Sequence, residues 1–86
     1  MLTRAQEAKN DLIQENTQQR FLLWWIQHIL SKYEYCLSNK EEAFGVNNCV
    51  TTFIFTFKDD SILRLDTEGD LYCENYYQDA YNIFTD

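Results

Sequence analysis

The chain contains no proline and only two glycines, Gly45 and Gly69, in 86 residues. That excludes a collagen-like repeat and argues against a flexible linker or low-complexity tail. Histidine occurs once, at position 28, and no Cys-x-x-Cys or His-x-x-x-His is present. A structural zinc site wants four close Cys or His ligands, and the sequence does not supply them. Cations stop early: after Arg64 there is no Lys or Arg. Long apolar runs are missing too. The longest, Phe21 to Ile26, is six residues, against the ~20 needed to span a bilayer. The first residues, Met1-Leu2-Thr3-Arg4-Ala5-Gln6, turn polar at once, which does not read as a secretory signal. Cys36, Cys49 and Cys73 are odd in number and widely spaced, unlike a secreted disulfide framework. The expectation is a cytoplasmic chain with buried, reduced thiols.

What is present is core material. Hydrophobic residues make up 45% and aromatic residues 16% of the chain. A domain of this size buries about 60–65% of its unfolded surface. Each aromatic contributes roughly 150–250 Å² to that burial. The expectation is a single domain over 1–86, with a core that needs no metal, disulfide or cofactor.

Residues 3–37 read as one long helix. Thr3 and Gln6 have the spacing of a capping box. Gln19, Leu23, Ile26, Leu30, Tyr33 and Leu37 fall at alternating fours and threes, with Leu12 seven residues before Gln19, and form one stripe. From Phe21 to Leu30 the helix would be apolar nearly all round, so something beyond one sheet face must cover it. Residues 38–48 read as a connection.

Residues 49–74 read as a three-stranded antiparallel β-meander, with turns at Asp59-Asp60 and Thr67-Glu68-Gly69. A three-residue first loop sets Phe55 opposite Leu63 and Phe53 opposite Leu65. One face then collects Phe53, Phe55, Phe57, Leu63, Leu65, Leu71 and Cys73, because a slip of one residue would invert every side chain. Tyr77, Ala80, Tyr81 and Phe84 stand at i, i+3, i+4 and i+7, which predicts a short helix over 75–84. The expected fold class is α+β: a long N-terminal helix packed on a three-stranded meander, with a short C-terminal helix.

Catalytic constellations are not recognisable. There is no Gly-x-Ser-x-Gly and no glycine-rich phosphate loop. His28 and Cys36 would lie about 12 Å apart along one helix, too far to share a metal. Asp66-Thr67-Glu68-Gly69-Asp70 resembles the start of a calcium loop, but an EF-hand requires Gly at its sixth position and Glu at its twelfth. Leu71 and Tyr77 stand there.

Charge is the feature with functional content. The net charge is −7. Residues 1–43 hold five cations against six acids, whereas residues 44–86 hold two cations against eight acids. Direct nucleic-acid binding needs Lys and Arg on the phosphates, so the expected partner is a protein with a basic surface. The candidate binding groups are Asp66, Glu68, Asp70, Glu74 and Asp79, interleaved with Tyr72, Tyr76 and Tyr77. In the meander register Asp66 and Asp70 would oppose each other across the second turn. Carboxylates on alternate strand residues lie ~6.7 Å apart, close to the spacing of successive phosphates on one DNA strand, as in a nucleic-acid mimic. A different class of function, a homodimeric structural or adaptor protein, would use the apolar helix through Phe21, Trp24, Trp25 and His28.

In size, acidity, odd cysteine count and lack of catalytic motifs, the chain resembles small phage-encoded inhibitors of host defence, such as anti-CRISPR proteins. The likeness is one of composition and assigns no site residue. It implies a non-enzymatic inhibitor, sometimes a DNA mimic.

Overall fold

The computed structural model describes residues 1–16, 21–44, 48–70 and 78–85; for residues 43, 44, 48, 49, 70, 78, 79 and 81 it describes the backbone alone. The chain forms α1 (Arg4–Glu15), β1 (Phe21–Leu22), α2 (Leu23–Leu30), β2 (Tyr35–Phe44), β3 (Asn48–Phe57), β4 (Ile62–Asp70) and β5 (Gln78–Thr85). The strands make one sheet in the order β1-β5-β4-β3-β2, antiparallel throughout. The fold is thus α+β, with two helices covering one sheet face.

α1 begins where the capping box is expected. Thr3 Oγ1 accepts from the Gln6 amide at 3.1 Å, and Gln6 Oε1 accepts from the Thr3 amide at 2.9 Å. Ala5, Ala8 and Leu12 face inward and are fully buried. Two side chains from the β3–β4 turn also satisfy N–H groups of the first helical turn, which have no partner within a helix. Arg4 N–H donates to Asp59 Oδ2 at 2.9 Å, and Ala5 N–H donates to Ser61 Oγ at 3.0 Å.

The single helix over 3–37 is overturned. α1 ends at Glu15, with Asn16 already extended at its C-cap. Phe21–Leu22 then adds a two-residue strand before α2. The break solves the problem posed by the all-round apolar segment. α2 packs against α1, β1 and β5, burying Trp25, Ile26 and Leu30. Ser31 ends the helix, its hydroxyl donating to the His28 carbonyl at 2.7 Å. Asp11 joins the two helices: it accepts from Lys32 Nζ at 2.8 Å and from the Tyr33 hydroxyl. Residues 35–44, read as helix end and connection, form a ten-residue strand instead. Ten consecutive pairings with β3, Tyr35↔Phe57 through Phe44↔Asn48, outweigh the weak helix preference of Ser38-Asn39-Lys40-Glu41.

The β3–β4 hairpin has the expected three-residue loop. Phe55 pairs with Leu63 and Phe53 with Leu65. The loop Lys58-Asp59-Asp60 closes with Asp60 N–H donating to the Phe57 carbonyl at 3.0 Å and Phe57 N–H donating to the Ser61 carbonyl at 2.9 Å. Asp60 takes the left-handed conformation at φ +66°, as the third residue of such a loop requires. The second expected turn is overturned: Thr67, Glu68 and Gly69 continue β4, opposite Thr51, Val50 and Cys49. Thr67 is fully buried, and its hydroxyl donates to the Thr51 carbonyl at 3.0 Å. The third strand expected near 70–74 falls mostly outside the described residues.

The C-terminal helix is overturned over 78–84, where β5 pairs with β4. Its register steps from Asp66↔Asn82 to Thr67↔Ala80, so Tyr81 is an extra residue in a bulge. A bulge breaks the period of two. That interruption sets Ala80 and Ile83, three residues apart, on the core side, whereas Phe84 falls on the opposite face and is exposed.

The core lies between the helices and one sheet face. It comprises Ala5, Ala8, Leu12, Trp25, Ile26, Leu30, Phe55, Phe57, Leu63, Leu65 and Ala80, with Phe53, Tyr35 and Ile83 at its margin. Phe53, Phe55, Phe57, Leu63 and Leu65 share the face the sequence assigned to them. Leu71 and Cys73 lie outside the described residues. Among those residues, no helix is long and apolar enough to cross a membrane.

Candidate docking face

The helices cover one side of the sheet, and strand alternation assigns the remaining residues to the other. Register arranges that open face in rows across the strands. At one end stand Cys36, Thr56 and Ile62. Next come Ser38, Ile54, Arg64 and Phe84, then Lys40, Thr52, Asp66 and Asn82. The last row runs Glu42, Val50, Glu68 and Asp79. Neighbouring strands are ~4.8 Å apart. Glu42 and Glu68 therefore stand roughly 10 Å apart, with Asp79 at the next register position beyond Glu68.

Glu42 and Glu68 are exposed. Asp66 is different. Its side chain is 21% exposed, Thr52 Oγ1 donates to it at 3.3 Å, and Arg64 Nε lies 3.7 Å away. Arg64 also sits over the Phe84 ring, 4.2 Å from its centroid. A carboxylate so engaged contributes less outward charge than Glu68. The expected opposition of Asp66 and Asp70 across a turn does not occur. They lie four residues apart on β4, about 13 Å at strand rise. Glu68 and Asp79, expected on separate elements, are direct cross-strand partners. Tyr72, Glu74, Tyr76 and Tyr77 lie outside the described residues.

Sequence reading missed Glu42. The signal was the alternation of Tyr35 and Leu37 with polar neighbours, which marks a strand once the long helix is abandoned. Cys36, expected buried, is exposed as a free thiol on this face, because β2 is an outer strand. The Trp-bearing surface is corrected as well. Phe21 is half-buried in β1 against Trp25, with ring centroids 6.1 Å apart. Trp25 is a core residue at 8% exposure. Trp24, at 53% exposure, and His28, one turn on, remain outside.

At the opposite end of the sheet Arg4, Lys32 and Lys58 line a cleft of about 220 Å³ with Tyr33, Glu34 and Phe57. Every one of these cations is paired: Arg4 with Glu7 at 3.3 Å, Lys32 with Asp11 at 2.8 Å, Lys58 with Glu34 at 2.8 Å. An anion entering there would compete with a carboxylate already in place. Hydrogen bonds from Lys32 and Tyr33 hold the Asp11 carboxyl below the usual range. Burial, followed by the hydrogen bond to Asp11, pushes Tyr33 up to about 12. The Ser61 hydroxyl and then the Arg4 amide lower Asp59. The first two shifts belong to the contact between α1 and the segment that follows α2, the third to the cap that the β3–β4 turn places on α1.

No group of three or more His, Cys, Asp or Glu side chains able to hold a metal ion occurs among the described residues. No protein-family model, curated protein or solved structure matches the chain.

Proposed function

We propose that this is a non-enzymatic binding protein that docks the acidic end of its open sheet face on a basic protein surface. The target class is a nucleic-acid-handling protein, blocked in the manner of a DNA mimic. One observation carries the reading: Glu42, Glu68 and Asp79 occupy a single cross-strand row, on the face the helices leave uncovered. Asp66 and Asp70 flank it along β4. A strand pair fixes the spacing of such charges far better than a loop does, and a rigid array meets a basic groove at lower entropic cost. Complementary fields also speed encounter.

The test is a pull-down with the tagged chain and with Glu42→Lys/Glu68→Lys, in the presence and absence of competing double-stranded DNA. Bound proteins are identified by mass spectrometry. Nucleic-acid-binding proteins displaced by DNA, and lost on charge reversal, are expected. The same bound set on both chains, indifferent to DNA, would sink the reading.

The exposure of Trp24 favours a second reading, a homodimeric adaptor joined through the outer surface of α2. Trp24→Glu would then disperse a dimer without altering the circular-dichroism spectrum, and a chain sedimenting as a monomer at every concentration would remove that reading.

A further inference from the structure

The outermost strand, β2, presents ten residues paired on one side only. Its register with β3 runs unbroken from Tyr35 to Phe44. Among the described residues no strand pairs with its other edge. Cys36 through Glu42 are all exposed. On such an edge half of the backbone N–H and C=O groups point away from the sheet and can template another strand. Natural edges are usually blunted by a proline, a bulge, charged side chains or an inward-pointing charge. β2 has no proline and no register shift; its one charge on the helix-side face is Glu41, opposite Thr51, and that residue is exposed.

The charge pattern selects the occupant. Lys40 and Glu42 stand two residues apart on the same face. When two copies of such a strand pair antiparallel about an axis through the residue between them, each Lys40 lies opposite Glu42 of the other copy. An axis normal to the sheet keeps every side chain on its own face, so only residues of equal parity can meet. An axis through Lys40 would oppose the two Lys40 side chains. An axis through Asn39 would set Leu37 against Glu41 and Cys36 against Glu42. An axis through Glu41 forms two Lys–Glu pairs, with Asn39 opposite Ala43 and Ser38 opposite Phe44. Opposite charges directly across a strand pair stabilise it. The two Glu41 side chains meet on the other face, a like-charge opposition that solvent and salt screen and that the two Lys–Glu pairs outnumber, whereas the axis through Lys40 opposes like charges and forms no opposite-charge pair.

We propose that the β2 edge is a self-association surface, pairing antiparallel with β2 of a second copy about a two-fold axis at Glu41 to give one continuous ten-stranded sheet. The arrangement is independent of the docking reading. It would place the acidic rows of the two copies side by side near the axis, and so double the length of the acidic band.

Sedimentation of the full chain alone, over a range of concentrations, tests it. The wild type dimerises. Lys40→Glu sets Glu against Glu42, and Glu42→Lys sets Lys against Lys40. Each single change misplaces two charge pairs, because the axis repeats it, and weakens the dimer at least about tenfold. The swap Lys40→Glu/Glu42→Lys restores it, and Glu41→Gln tightens it. These positions are exposed, and circular dichroism checks that each variant keeps the fold. A wild type that is monomeric throughout, or a swap that fails to rescue, overturns the proposal. So does a dimer dispersed by Trp24→Glu and indifferent to Lys40→Glu. None of these readouts depends on a target, so failure here is distinct from failure of the docking test.

Discussion

Asp59, in the turn between β3 and β4, accepts a hydrogen bond at 2.9 Å from the backbone N–H of Arg4, 55 residues earlier. The turn thus acts as a second cap on α1, beside the local box formed by Thr3 and Gln6. It also fixes where the helix lies across the sheet. Asp59→Ala should lower the urea midpoint of unfolding, and Asp59→Asn should lower it less, since the amide oxygen can still accept. The folded-state pKa of Asp59 is depressed, as is that of Asp11. Their contributions are therefore present above the ordinary carboxylate range and are lost as pH falls through the depressed values. Denaturant titrations at a series of acidic pH values should show a shallower loss of stability for Asp59→Asn than for the wild type. Parallel curves would contradict the assignment.

Tyr33 gives the opposite sign at the other end of the pH scale. Its pKa is raised to about 12, so the neutral hydroxyl is the form the fold favours. The stabilisation is complete below about 10, the ordinary tyrosine value. It is lost as pH rises from there through the folded value. Tyr33→Phe should remove that part of the alkaline decline in stability. In the wild type, one of the six tyrosines should ionise late by ultraviolet difference absorbance.

Asp60 holds a left-handed conformation that a glycine would adopt without steric cost. Asp60→Gly should leave stability unchanged or raise it by up to about 1 kcal/mol, because the relieved backbone strain offsets the greater entropy of the unfolded chain. A β-branched residue there, as in Asp60→Val, should destabilise the hairpin. Chemical denaturation of the three proteins decides it.

Thr67 separates strand from turn. Its buried hydroxyl donates to the Thr51 carbonyl, so Thr67→Val keeps the shape and removes the bond. The expected loss is about 1 kcal/mol, with slow amide exchange retained along β4. An exposed turn residue at this position would tolerate the change freely.

The legible parts of the fold were those specified by short-range pattern. Thr3 and Gln6 mark a helix start by spacing alone. The apolar alternation of Phe53, Phe55, Phe57, Leu63 and Leu65 fixes a face and excludes the two-residue loop, since a slip of one residue would divide the five between both sides. What was not legible depended on tertiary pairing. Tyr35–Phe44 has mixed propensity and becomes a strand because β3 offers ten partners. Gln78–Thr85 was not legible as a strand because the bulge at Tyr81 interrupts its alternation, placing Ala80 and Ile83 on the core side three residues apart. The acidic character of the second half was visible in composition. The meeting of Glu42, Glu68 and Asp79 in one row was not, because the residues come from three strands and the row exists only once the sheet is assembled.

β5 lies between β4 and β1, and β1 has β5 as its strand partner among the described residues. The seam that anchors the start of α2 is therefore closed by a strand that lies more than fifty residues later in the chain. Until Gln78–Thr85 emerges, Trp25 and Ile26 lack part of their cover, and helices made early wait on a segment made late. Pairing across so many residues is slow, since loop-closure entropy must be overcome before the contacts form. A nascent chain of this protein would keep its aromatic helix incompletely covered until β5 pairs with β1.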